Sequence, residues 1–164
     1  KLLKTKMKQH PKYPYGILRE EVQEVMLEKL QMILEEKRIR GIGENGTEYT
    51  VISTVLNLPK DILRMIQKFD FTKKNPKLIY VNAAEQIISL EDTILVTFLN
   101  LIGFDILFFI PTGYQSVEKY LNQNVMEEHQ IGEYVYDLQV PDLKNTPFNK
   151  PRQGWRNIIF KRGN

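Results

Sequence analysis

Three consecutive stretches decide the fold: PKLIYVNAAE (residues 76–85), SLEDTILVTFLNLIG (89–103) and FDILFFIPTGYQSVEKY (104–120). Leu78–Val81 and Ile106–Ile110 are short, nearly unbroken apolar runs rich in β-branched and aromatic residues. Runs of this kind suit strands buried on both faces of a sheet. Between them the pattern is helical. Ser89 is placed to cap the helix, Glu91 and Asp92 put negative charge in its first turn, and Gly103 stands where a helix stops. Strand, helix, strand with tight connections is a βαβ unit. The spacing predicts parallel strands over 78–82 and 105–110, joined by a right-handed crossover helix over 89–102. Leu95, Phe98, Leu99 and Ile102 are its expected core residues.

Upstream, Ile17–Arg40 carries Leu18, Val22, Met26, Leu30, Ile33 and Leu34 on one face at helical spacing. Acidic Glu20 and Glu21 open that helix, and Lys37, Arg38 and Arg40 close it before Gly41. The glycines of 41–46 make a loop without the G-K-[ST] of a phosphate loop. Residues 47–58 are β-branched, which favours a strand, yet Val51-Ile52 and Val55-Leu56 recur at helical spacing, and helix is the preferred reading. Pro59 then starts a further helix with Ile62, Met65, Ile66 and Phe69 facing inward. Past the second strand, a short helix is expected over Ser116–Asn122 and a strand over Tyr134–Val140. Residues 141–164 read as an extended tail, pinned to the body by the apolar Trp155–Phe160.

The fold class that follows is α/β: a Rossmann-like three-layer fold, with a small parallel sheet flanked by helices and an N-terminal helical portion. Residues 1–16 are expected to be an irregular lead-in, and 17–140 one α/β domain. Within that domain 17–70 is the helical part and 76–125 the βαβ core.

The chain has 164 residues, 42% apolar and 26% charged, and no cysteine. That composition fits a soluble domain with a real core, excludes a disulfide framework and thiol chemistry, and is consistent with the cytoplasm. No signal peptide or membrane span is visible, and the opening Lys1 suggests a portion of a longer protein. The net charge of +3 is unevenly spread. Residues 1–12 hold five Lys and no acid, 150–164 hold five Lys or Arg and no acid, and the body between is acidic, at −7. Nucleic-acid binding is therefore disfavoured, the basic ends excepted; a solvated linker is the plainer reading of the N-terminal end.

In an open parallel sheet, ligands gather beyond the carboxyl ends of the strands, beside helix N-termini. Here that edge is Asn82-Ala83-Ala84 and Pro111–Ser116. Asn82, Thr112, Gly113, Tyr114, Gln115 and Ser116 are the candidate ligand-binding residues. The small Gly113 permits close approach, the expected helix offers N–H groups to an anion, and Thr112 and Ser116 add hydroxyls. Tyr114 and Gln115 suit a ring or a sugar hydroxyl. The ligand class is a nucleotide or phosphorylated small molecule. The plain alternative is a tight turn with Ser116 as a helix cap. No metal is expected: Glu127, Glu128 and His129 cluster, but only one other histidine exists. Ser116 is not in G-x-S-x-G, so a hydrolase triad has no support, and no catalytic residue or cofactor is assigned.

Two segments carry a family resemblance. FLNLIGFDILFFIPTGYQSVEKY (98–120), followed by EEHQIGEYVYDL (127–138), resembles the YceG-like family of bacterial stress proteins, and LNLPKDILRMIQKFDFTK (56–73) is similar to the same family. The resemblance implies a C-terminal portion of a longer protein, associated with tellurite resistance and general stress as a component of a biosynthetic module. It brings no catalytic residues with it. Two function classes follow: a domain that binds a nucleotide or phosphorylated ligand, or a non-catalytic domain that holds stress-module partners through apolar surfaces. An ordered anion at Gly113 favours the first; a crevice plugged by side chains favours the second.

Overall fold

The computed structural model describes residues 2–70, 75–83, 85, 87–114, 116–122 and 125–139. Their elements are α1 (Leu2–Lys8), α2 (Glu20–Glu35), α3 (Thr47–Leu56), α4 (Lys60–Gln67), β1 (Lys77–Val81), α5 (Leu90–Ile102) and β2 (Asp105–Phe109).

The βαβ unit forms as the sequence predicts. β1 and β2 are adjacent and parallel, in the register Lys77↔Asp105 to Val81↔Phe109. Ser89 Oγ accepts the Asp92 N–H at 3.0 Å, and Gly103 closes α5 in the left-handed region at φ 118°. A Cβ there would crowd the carbonyl, so glycine suits the position. Phe98, Leu99 and Ile102 are buried, whereas Leu95 is half-buried. Inside α5 the Thr93 and Thr97 hydroxyls donate to the Ser89 and Thr93 carbonyls at 2.9 and 2.8 Å, which lets both threonines be buried without an orphaned group.

α2, α3 and α5 pack together, and Met26, Leu30, Ile33, Val51, Val55, Ile94 and Phe98 fill the space between them. Tyr15 ties the N-terminal lead-in to this core. Its hydroxyl donates to the Val55 carbonyl at 2.8 Å and accepts the Leu58 N–H at 3.0 Å. Residues 47–56 are helical, in line with the spacing of their apolar pairs. Phe69 stacks on Phe104 with centroids 5.7 Å apart, joining the end of α4 to the turn before β2.

Several expectations are corrected. The lead-in is not wholly irregular: α1 forms, Met7 packs against the core, and Lys8 pairs with Glu20 and Glu24 of α2. α2 ends at Glu35 rather than Arg40, because Lys37 turns left-handed at φ 47° and sends Ile39 into an antiparallel bridge with Leu121. Met65 of α4 is exposed instead of inward. Residues 134–139 form no strand, and Tyr134, Val135, Tyr136 and Leu138 are exposed. Val140, the tail from 141 and Trp155–Phe160 lie outside the described residues.

The largest correction concerns the sheet. Its strands are not buried on both faces: exposure alternates along each one. Leu78, Ile106 and Phe108 face the helices and pack on the core, with Tyr80 stacked on Phe108 at 4.9 Å. Ile79, Val81, Leu107 and Phe109 point the other way. The described residues thus form helices against one face of a two-stranded parallel sheet.

Candidate functional site

The carboxyl ends of the strands bring Asn82 beside the Ile110–Ser116 turn. The Asn82 N–H donates to the Phe109 carbonyl at 2.9 Å, extending the ladder by one bond. Gly113 N–H closes a turn on the Ile110 carbonyl at 3.0 Å, and the buried Thr112 hydroxyl accepts the Tyr114 N–H at 3.2 Å. Tyr114 is exposed, and Gln115 lies outside the described residues.

The expected helix over 116–122 is absent. Arg40 N–H donates to the Tyr120 carbonyl at 2.8 Å and Asn122 N–H to the Arg38 carbonyl at 3.0 Å, so this segment spends its backbone groups on the bridge to Ile39. Without a helix there is no row of free N–H groups aimed at an anion. The Ser116 N–H donates instead to Glu118 Oε2 at 2.7 Å, so the protein's own carboxylate stands where an anionic ligand atom would sit. Ser116 itself is fully buried, and its hydroxyl has no hydrogen-bond partner.

Gly113 is in close contact with a downstream side chain. The Tyr134 ring covers it, and Val135 N–H donates to the Pro111 carbonyl at 2.8 Å, fastening that segment across the turn. Gly113 has φ 66°, so both its backbone and its close neighbour call for glycine.

Sequence reasoning missed the sheet's second face. Ile79 is 61% exposed, Val81 41%, Leu107 49% and Phe109 41%, and the parallel register sets Ile79 beside Leu107 and Val81 beside Phe109. At the amino end of the same face Lys77 Nζ meets Asp105 Oδ2 at 2.5 Å, which holds the Asp105 carboxyl below its ordinary value. The runs Leu78–Val81 and Ile106–Ile110 are apolar at every position, so their pattern does not show that the single crossover helix leaves one face open.

Elsewhere the chemistry is sparse. Among the described residues no group of three or more His, Asp or Glu side chains could hold a metal, and His129 meets only Glu127, at 3.6 Å in solvent. A cleft of about 680 Å³ between α2 and α4 is lined by Arg19, Val22, Ile66, Lys68 and Phe69 among others, with Arg19 donating to the Gln67 carbonyl at 2.9 Å. No helix among the described residues is long and apolar enough to cross a membrane.

Comparison with known proteins follows the resemblance read from the segments above. Uncharacterized protein YceG of Bacillus subtilis (strain 168) is 25% identical over 149 residues, which cover 87% of this chain and 27% of that protein. The chain thus spans about a quarter of the length of the curated relative it matches. No solved structure matches it. The model of the YceG domain matches residues 1–147, nearly the whole chain, and on that extent of match the chain belongs to the YceG domain family.

Proposed function

We propose that this YceG domain serves as an interaction domain in a bacterial stress protein, holding its partner on the open face of the sheet. One observation carries the reading: Ile79, Val81, Leu107 and Phe109 form an exposed apolar patch on two paired strands. Parallel strands are ordinarily covered on both faces, and a contiguous apolar patch on a folded surface marks a place of contact. The Tyr134 ring against Gly113 favours the same reading, because it takes up the close approach that a ligand would use. The stress and tellurite association, and membership of a biosynthetic module, come from the family resemblance. The test is the double substitution Ile79→Glu/Leu107→Glu, made in the full-length protein and expressed in its host under tellurite challenge. Protection should fall to the level of the deletion strain, with normal protein abundance. Full protection at normal abundance would overturn the reading.

A second reading keeps a nucleotide or phosphorylated ligand at Asn82, Thr112, Gly113, Tyr114, Gln115 and Ser116. The buried, unpartnered Ser116 hydroxyl favours it, since buried polar groups ordinarily find a partner. A ligand anion there must displace the Glu118 carboxylate. Glu118→Gln should therefore tighten binding of inorganic phosphate or ATP in calorimetry. Absence of binding by both proteins would remove this reading.

A further inference from the structure

We infer that the strand-end turn is autoinhibited: residues 127–139 are a releasable strap, and its Tyr134 ring, together with the Glu118 carboxylate, stands in for a ligand that carries an aromatic ring and an anionic group, as a nucleoside monophosphate does. This rests on the second reading above and names the regulation of that site. The open face of the sheet plays no part in it.

Two contacts place the protein's own chemistry on the turn. The Tyr134 ring lies against Gly113, whose φ of 66° and missing side chain permit the approach. Further along, Glu118 Oε2 accepts the Ser116 N–H at 2.7 Å. A flat ring against bare backbone and an anionic oxygen on an N–H are contacts that a nucleotide makes through its base and its phosphate. Gly113 and Ser116 are three residues apart, no more than about 11 Å along the chain, which one nucleoside monophosphate can bridge. A separate observation points to a ligand at the same place. Ser116 is fully buried, and its hydroxyl has no hydrogen-bond partner among the described residues. A buried hydroxyl ordinarily finds one, and a phosphate oxygen would serve.

The segment that carries Tyr134 is lightly held, which makes the ring a gate and not a fixed part of the core. Residues 127–139 are exposed throughout and form no helix or strand. Val125 and Met126 pack on the core and anchor the segment at its start. Beyond them, Tyr134, itself 55% exposed, and the Val135 N–H bond to the Pro111 carbonyl tie it across the turn. Pro111 has no N–H to give back, so the reciprocal bond of an antiparallel pair cannot form there. Gly132, two residues before Tyr134, has nothing within 4 Å of where a Cβ would stand, and its φ is not positive. Glycine at that position adds chain freedom just ahead of the ring. Segments with exposed backbone and few apolar contacts open locally, without unfolding of the core. A site that is open part of the time binds with an affinity reduced by its open fraction, so the strap sets the affinity of the turn.

The experiment combines native-state hydrogen exchange with calorimetry on the full-length protein, using AMP and inorganic phosphate as probes. The Val135 N–H should exchange at least roughly tenfold faster than the Phe98 N–H of α5, after correction for intrinsic rates. Tyr134→Ala should speed Val135 further and leave Phe98, the sign of an intact fold, as slow as before. The same substitution should raise AMP affinity about tenfold, and by more than it raises phosphate affinity. Glu118→Gln should raise both. Exchange at Val135 as slow as at Phe98 would show a fixed contact and overturn the inference. AMP affinity unchanged or weakened in Tyr134→Ala, while Glu118→Gln tightens phosphate, would overturn the inference and leave the second reading standing. Binding of neither probe by any of the three proteins would remove the reading and the inference with it.

Discussion

The Tyr134 ring lies so close over Gly113 that a Cβ on the glycine would overlap Tyr134 Cε1. The contact sets a side chain twenty-one residues downstream against the strand-end turn, and the bond from Val135 N–H to the Pro111 carbonyl holds it there. Gly113→Ala should therefore be destabilising through two causes, the clash with Tyr134 and the left-handed φ of 66°. Urea unfolding should show a loss of roughly 1–3 kcal/mol. Tyr134→Ala should recover the clash component only, so the double mutant falls short of additivity.

Most of the fold around this contact was legible because local signals and burial agree. Ser89, Glu91, Asp92 and Gly103 mark α5 at both ends, and its apolar residues leave little surface free. The strands were legible as strands but not as half-open ones. A run such as Leu78–Val81 is apolar at every position, so it carries no alternation to tell one covered face from two. At 116–122 a local pattern lost to a distant one: residues 38–40 take the backbone groups that a helix would have used. Glu118, two residues past Ser116, was the one hint that the turn satisfies itself. α1 was hidden by its lysines, whose pairing with α2 cannot be read from residues 1–12 alone.

Phe98 is fully buried on α5 and meets the core shared with α2 and α3. Phe98→Ala should cost about 3–5 kcal/mol, measured by chemical unfolding. Exposed Tyr49→Ala, on α3, should change stability by less than about 0.5 kcal/mol.

Tyr15 gives a pH signature. Burial pushes its hydroxyl up to about 12, opposed in part by the Leu58 N–H bond. The folded state then keeps a proton that the unfolded chain releases near pH 10. Stability from this group is complete below about pH 10 and is lost as pH rises towards 12. Tyr15→Phe should flatten that part of the alkaline unfolding curve. At neutral pH it should cost about 1–3 kcal/mol, because the Leu58 N–H is left without its acceptor.

Removing residues 1–12 should lower the urea midpoint, contrary to what a solvated linker would do. The loss of half-buried Met7 accounts for about 1 kcal/mol of this, and Met7→Ala should reproduce much of it. Lys8→Ala should have a smaller effect that shrinks further in high salt, since its pairs with Glu20 and Glu24 face solvent.

The open sheet face is tested most directly by thiol labelling, because the chain contains no cysteine of its own. Three single variants of the present chain are compared under native conditions: Leu107→Cys on the open face, Ile17→Cys in the exposed lead-in and Leu99→Cys in the core. Leu107→Cys should react with a maleimide nearly as fast as Ile17→Cys, while Leu99→Cys should wait for unfolding. If Leu107→Cys were as protected as Leu99→Cys, the face would already be covered, and the account of it as a contact surface would be contradicted.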